Sequence, residues 1–330
     1  MATGKLSPDE LKQWIFPYLG TRRKETRLGP LVGEDCAALD LHGDLVVLST
    51  DPITNAEVES GYLSVLVSCN DVLSNGAEPV AILLTILLAE DETPETAQQI
   101  MASAHRGAKE MNVEIVGGHT ETTPGLTQNI ISVTAIGRAT KSQLLRSDGV
   151  REHDGLILTK GAGIEGTAIL CADYPDAMKS ILSEKEYQEG LKMMEWISIR
   201  QEALLVRDFE IHAMHDVTEG GTLGACYELA QASSLGLTLQ ADQIFIPAST
   251  RKICEALDLD PLRLISSGSL LIATPDEQNV VRHLQEHGIP AFVIGRFENK
   301  ELRMQRNGQW QDIPVPSGDE LIQAISRLRG

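Results

Sequence analysis

Six of the 47 acidic residues in this chain gather in short polar words. Four words carry them: Gly33-Glu34-Asp35, Ser49-Thr50-Asp51, Asn70-Asp71 and His215-Asp216-Val217-Thr218-Glu219-Gly220-Gly221. Carboxylates at loop ends beside glycines are suited to holding Mg²⁺ against the phosphates of a nucleotide. Each word also has a plainer reading. Asp35, in a glycine turn, reads alone as a solvated turn acid. Asp51 closes a buried strand, where an α/β fold seats its ligands, yet an N-cap accounts for it equally well. Asn70 and Asp71 interrupt an apolar helix. The stripe beside them is Ser64, Ser68 and Asn75 rather than Lys and Glu, which points to a polar groove.

Two glycine-rich words add to these. Gly117-Gly118-His119-Thr120-Glu121 follows a strand. Paired glycines let a backbone approach a phosphate closely, while Thr120 and Glu121 offer a hydroxyl and a carboxylate. A hairpin turn is the bland alternative. The word from Lys160 to Thr167 looks like a phosphate loop opening a helix, but it misses both the P-loop and the dinucleotide spacings. The word from His215 to Gly221 also opens a helix and offers Asp216, Thr218 and Glu219 toward one focus; an N-cap role would explain Thr218 alone. Together, clusters of this kind at strand ends and helix starts outweigh their separate explanations. No Ser-His-Asp or Cys-His arrangement has local support. Positioning with metal-borne charge neutralisation, as in phosphoryl transfer, fits better than covalent catalysis.

The elements that must hold these words follow from periodicity. A helix capped at Ser7-Pro8 runs to about Tyr18, and residues 45–50 form a strand ending at Asp51. Apolar residues recur at helical spacing over 57–75, and Gly76 stops that helix. A strand at 80–89, a helix at 94–112, a strand at 113–116, a glycine turn and a strand at 129–138 complete an α/β sandwich. After a polar link at 141–154 comes a second unit. Its strands are 155–160, 236–240, 269–273 and 291–296, and its helices are 164–172, 184–207, 221–233 and 276–286. The expected domains are therefore 1–145 and 146–330, with the loop 174–189 lining an acceptor pocket. Both units close on one word, Ile136-Gly137-Arg138 and Ile294-Gly295-Arg296, which hints at a duplicated layout.

Composition sets the limits. With 47 acidic against 28 basic residues, the net charge is −19, so a phosphate backbone would be repelled and nucleic acid is not an expected partner. A metal-bridged small anion remains compatible with that charge. Five cysteines, with no Cys-x-x-Cys pair, give neither a disulfide framework nor a thiolate zinc site. Residues 1–20 lack a signal-peptide core, and the longest apolar run, 80–89, is far short of the roughly 20 residues a bilayer requires. A cytoplasmic protein with no membrane contact is expected.

Taken in order, the words resemble the aminoimidazole ribonucleotide (AIR) synthetase superfamily over nearly the whole chain, about residues 4–321. The pattern looks most like the hydrogenase-maturation (HypE-like) members. The resemblance implies a two-domain α+β/α/β fold: an N-terminal sheet that forms a barrel across a homodimer, and a C-terminal α/β domain. It implies ATP and Mg²⁺ as cofactors. Asp35, Asp51 and Asp71 match the acids that would ligate Mg²⁺. Asn70, Gly117, Gly118, His119, Thr120 and Glu121 match nucleotide-binding words, with His119 where purine and thiamine enzymes carry an acid and selenophosphate synthetases carry His. Lys5, after Gly4, matches a mobile N-terminal segment over the nucleotide. Asp216, Thr218 and Glu219 match the catalytic word that faces the acceptor substrate or a further Mg²⁺.

Departures narrow the expectation. Hydrogenase-maturation members end in Pro-Arg-Ile-Cys, whereas this sequence ends Ser326-Arg327-Leu328-Arg329-Gly330, which excludes carbamoyl dehydration through a C-terminal thiol. The first cysteine is Cys36, which disfavours selenophosphate synthesis. The resulting expectation is an ATP- and Mg²⁺-dependent enzyme activating or phosphorylating an oxygen of a small molecule. A kinase like thiamine-monophosphate kinase is one alternative. The other is a non-catalytic nucleotide-binding partner in a maturation complex, with a partner protein.

Overall fold

A computed structural model of the chain describes residues 4–5, 11–28, 38–39, 45–54, 56–140, 142–298, 301–316 and 318–329. The chain divides into two compact units, Met1–Leu73 with Ala77–Leu144, and Ser74–Gly76 with Leu145–Gly330.

In the first unit the elements are β1 (Gly4–Lys5), a helical turn at Leu11–Ile15, the pair β2 (Thr26–Leu28) and β3 (Ala38–Leu39), β4 (Leu45–Ile53), α1 (Ser60–Ser74), β5 (Glu78–Leu88), α2 (Pro94–Met111), β6 (Glu114–Thr122) and β7 (Ile130–Ala139). The sheet order is β1-β6-β5-β7-β4. β5 and β6 run parallel, as an intervening helix allows, and the other neighbours are antiparallel.

Alternation along β7 buries Ile131, Val133 and Ala135. The hydroxyl of Ser68 on α1 donates to the Val133 carbonyl at 3.2 Å, so this is the face that α1 covers. The opposite face is open: Val46 is 53 % exposed, Leu48 62 % and Leu83 36 %. Ser64 and Ser68, read from sequence as lining a polar groove, are buried instead and return their hydroxyl protons to backbone carbonyls. Small hydroxyls satisfied locally can be buried at little cost.

Two strands run further than expected. β4 continues through Asp51 to Ile53, pairing Asp51 with Val133, because it is the sheet's edge and Pro52 has no ladder hydrogen bond to lose there. β6 runs straight through Gly117 and Gly118, which the sequence suggested as a turn. A bulge at Val116 shifts its register on β5, and Gly118 has φ +153°. A Cβ at Gly118 would lie 1.8 Å from the Leu84 carbonyl oxygen, so the glycine is required by strand pairing.

The second unit holds β8 (Gly155–Thr159), α3 (Ile164–Asp173), α4 (Pro175–Ile181), α5 (Glu184–Lys192), a 3₁₀ turn at Met193–Trp196, α6 (Arg200–Leu205), β9 (Ala213–Asp216), α7 (Gly221–Ser233), β10 (Gly236–Gln240), α8 (Ala248–Ala256), β11 (Leu270–Thr274), α9 (Glu277–Glu286), β12 (Ala291–Glu298), β13 (Leu302–Arg306), β14 (Gln309–Asp312) and α10 (Glu320–Arg329). Its sheet order is β14-β13-β10-β12-β8-β11-β9. Leu156, Leu158, Leu237, Leu239, Leu271, Ile294 and Phe297 form the heart of its core.

The run β4-β7-β5-β6 has the pairing senses antiparallel, antiparallel, parallel, and β8-β12-β10-β13 repeats them. The two Ile-Gly-Arg words lie on β7 and β12, which hold the same place in the two runs. The echo in the sequence therefore marks a shared strand layout.

The expected loop at 174–189 is helical, since Pro175 opens α4 and a Ser183–Glu186 capping box opens α5. The expected helix 184–207 is broken. Lys160 Nζ takes the carbonyls of Trp196 and Ser198, at 2.8 and 2.7 Å, that a continuous helix would use in its own ladder.

Candidate functional site

Asp51 and Asp71 lie on different elements, β4 and α1, and the fold brings them to one hydroxyl. Ser49 and Asp51 share a face of β4 by strand alternation. Ser49 Oγ donates a short hydrogen bond to Asp71 Oδ2 and stands 3.4 Å from Asp51 Oδ2. A hydroxyl carries one proton, so it cannot satisfy both carboxylates at once. Both acids are half-buried. Two carboxylates meeting at a partly exposed point favour a cation. Ser49 was quoted in the sequence only as part of a word; its place two residues before Asp51 on a strand was the signal for its role.

Asp35 lies outside the described residues. Among the described residues no group of three or more His, Cys, Asp or Glu side chains is arranged to hold a metal ion. Mg²⁺, however, is commonly bound through one or two carboxylates, with the remaining ligands from phosphate and water. Asp51 and Asp71, with hard oxygen donors and access to solvent, fit that mode.

His119 and Glu121 meet each other on β6. His119 Nε2 lies 3.0 Å from Glu121 Oε2, and Thr123 Oγ1 donates to Glu121 Oε1 at 3.0 Å. The hydrogen bond from His119, then that from Thr123, holds the Glu121 carboxyl below the usual carboxylate range. β1 pairs Lys5 with Glu121 in register, which puts the N-terminal segment beside this pair. Register also fixes the face. His119 lies opposite Thr85 and Glu121 opposite Leu87, both in line with exposed Leu83, whereas Asp51 lies opposite buried Val133. The His119–Glu121 pair therefore sits on the open face, and the Asp51–Asp71 pair on the face that α1 covers. Thr120 is buried on the helix side, Asn70 is fully buried, Gly117 is partly exposed and Gly118 exposed.

In the second unit, Asp216 ends β9 and is 5 % exposed, Thr218 is half-buried and Glu219 is exposed. The three thus stand in different environments. His215 Nε2 lies 3.1 Å from Glu228 Oε2 on α7. Burial opposes the imidazolium, but the Glu228 hydrogen bond and the Asp216 charge outweigh it and raise the His215 pKa. The turn that follows is built by packing: Gly221 has φ +61°, and a Cβ there would lie 2.7 Å from the carbonyl oxygens of Leu262 and Leu264. The Gly220 N–H donates to Asp319 Oδ2 at 2.8 Å. Asp319, a hundred residues downstream, gave no sign of this in the sequence.

The Lys160–Thr167 word is not an open phosphate loop. Lys160 Nζ is 2.6 Å from Glu202 Oε1 and also takes the Gly268 carbonyl at 3.0 Å. The Ile164 N–H goes to Ser266 Oγ and the Gly166 N–H to the Ile265 carbonyl, so donors that would cradle a phosphate are already used. The described cysteines, Cys69, Cys171, Cys226 and Cys254, are buried. Burial pushes Cys171 and Cys254 up to about 12 and raises Cys69 and Cys226 as well, so none of the four is a ready thiolate.

Among the described residues no helix is long and apolar enough to cross a membrane.

The chain is similar to known proteins over most of its length. A Methanocaldococcus jannaschii protein provisionally assigned to hydrogenase expression and formation is 29 % identical over 335 residues, covering 97 % of this chain and 96 % of its own. The carbamoyl dehydratase HypE of Azotobacter vinelandii is 28 % identical over 281 residues, 82 % of this chain and 80 % of its own. Among solved structures, E. coli HypE superposes with a TM-score of 0.79 at 22 % identity, covering 96 % of this chain and 97 % of that one. HypE in complex with ATP gives 0.73 at 23 %, covering 89 % and 92 %. A ThiL protein complexed with AMPPCP and TMP gives 0.68 at 18 %, covering 87 % and 91 %. These share the AIR synthetase-like two-domain fold. The models of the AIR synthase related protein N-terminal and C-terminal domains match residues 33–139 and 151–306 in order. The chain is a HypE-like member of the AIR synthase related family.

Proposed function

We propose that the chain is an ATP- and Mg²⁺-dependent enzyme that activates or phosphorylates an oxygen of a small molecule. The observation that carries this reading is the meeting of Asp51 and Asp71 on the single hydroxyl of Ser49. Asp51 and Asp71, with Asp35, would hold Mg²⁺, which supplies charge neutralisation on the nucleotide phosphates when bound. Ser49 orients the Asp71 carboxylate. Among the matched structures, HypE in complex with ATP and ThiL complexed with AMPPCP support a nucleotide on this fold.

His119, Glu121 and the strand carrying Lys5 serve the nucleotide from the open face. That face, with Val46, Leu48 and Leu83 exposed, fits a homodimer in which two such sheets pair. Asp216, Thr218 and Glu219 face the acceptor. The buried, high-pKa cysteines give no support to carbamoyl transfer onto a described thiol.

The test is a turnover screen with Mg²⁺-ATP and a panel of small hydroxyl, carboxylate, amide and phosphate-ester acceptors, with ADP and AMP read separately. Acceptor-dependent ADP release supports the reading. Saturable ATP binding with no nucleotide product across the panel would instead make the chain a nucleotide-binding partner.

A further inference from the structure

Glu165 stands in the first turn of α3, 2 % exposed, and its Oε2 has no hydrogen-bond partner among the described residues. One residue links this turn to Asp319: Ile265 accepts the Gly166 N–H and donates its own N–H to Asp319, which precedes α10 and accepts three backbone N–H groups, Gly220 at 2.8 Å, Ile265 at 3.2 Å and Leu321 at 2.7 Å. Those amides belong to the turn ahead of α7, the loop ahead of β11 and the first turn of α10. One carboxylate therefore pins three segments, a task that an ionised Asp319 performs best.

The charges around Glu165 are of its own sign. Burial, then the charges of Asp319 and Glu219, outweigh the polar groups of Ser267 and push the Glu165 carboxyl up to about 7. Burial is also the main cause that raises Asp319, against its three N–H donors. Cations on neighbouring elements have carboxylate partners of their own. Arg263 pairs with Glu320 at 3.5 Å, Lys252 of α8 with Glu186 of α5 at 2.6 Å, and Lys160 with Glu202.

We propose that Glu165 is a proton-operated latch: neutral, it lets Asp319 hold the three segments, and ionised, it loosens the turn at residues 218–221 and the seating of α10. Ionisation sets a second negative charge beside Asp319 in a buried place, and relief comes from opening the junction to water. The sign follows from linkage. A carboxyl raised in the folded state contributes its stability in full below its ordinary value near 4.5, and that contribution is lost as pH rises through about 7.

Amide hydrogen exchange on the full chain tests this at Gly220, Ile265 and Leu321, at pH 6 and pH 8, after correction for intrinsic exchange. Protection in the unmodified protein should fall about tenfold between the two values. Glu165→Gln should remove that dependence, whatever its level of protection. Glu165→Met, also neutral, carries the same comparison if the Gln variant does not fold. Asp319→Asn should expose all three amides at both values. The proposal is overturned by equal corrected protection of the unmodified protein at both pH values. An undiminished pH response in the neutral variants, or full protection in Asp319→Asn, would overturn it equally.

Discussion

The acids of the two units look alike as sequence words and differ in physical state. In the first unit Asp51 and Asp71 stay half-exposed and meet at one hydroxyl, with their carboxylates accessible to solvent. In the second, Asp319 is buried and matched by three backbone donors, and Glu165 is buried with like charge beside it. An accessible pair of carboxylates meeting at one point is suited to a cation; a buried acid holding three backbone donors is a structural clamp. Glycines do not divide in this way. Gly118 and Gly221 avoid clashes with neighbouring backbone rather than making room for a ligand.

The sharpest way to break this contrast is Asp319→Asn. Losing the charged acceptor from three buried N–H groups should destabilise the second unit by about 2–3 kcal/mol, read as the denaturant midpoint of the transition assigned to that unit. Unchanged stability would mean that Asp319 is no clamp. Next comes the open face of the first unit. Leu48→Glu should leave monomer stability within about 0.5 kcal/mol, because Leu48 is 62 % exposed. It should weaken self-association about tenfold or more by sedimentation, and unaltered association would remove that face from the interface. The smallest effect expected is at Glu121. Glu121→Gln should change nucleotide affinity only a few-fold, since a polar partner for His119 and Thr123 remains. A complete loss of binding would move the centre of the site from Asp51 and Asp71 to the open face.

Much of this was legible before any coordinates. The order of the acidic words led to the family; the strand carrying Asp51 runs three residues past its expected end, and the helix carrying Asp71 is a few residues shorter than expected. What stayed hidden was long-range or local in a way that periodicity does not reveal. The bulge at Val116 sets which side of the sheet His119 and Glu121 face, and no composition rule announces a bulge. Lys160 looked like a phosphate ligand because its partners, Glu202 and the carbonyls of Trp196, Ser198 and Gly268, lie 36 to 108 residues away. Asp319 reads as an ordinary acid before a helix until Gly220 and Ile265 are brought to it.

The central claim is that Asp51 and Asp71 act together on a divalent cation that binds with nucleotide. Titration calorimetry of ATP into the unmodified chain, Asp51→Asn and Asp71→Asn, each with and without Mg²⁺, tests it most directly. The account predicts Mg²⁺-dependent binding in the unmodified chain and a loss on the order of 100-fold, about 2.7 kcal/mol, in either variant, with folding and association state retained. Nucleotide affinity that is unchanged in both variants, or indifferent to Mg²⁺ in the unmodified chain, would contradict it.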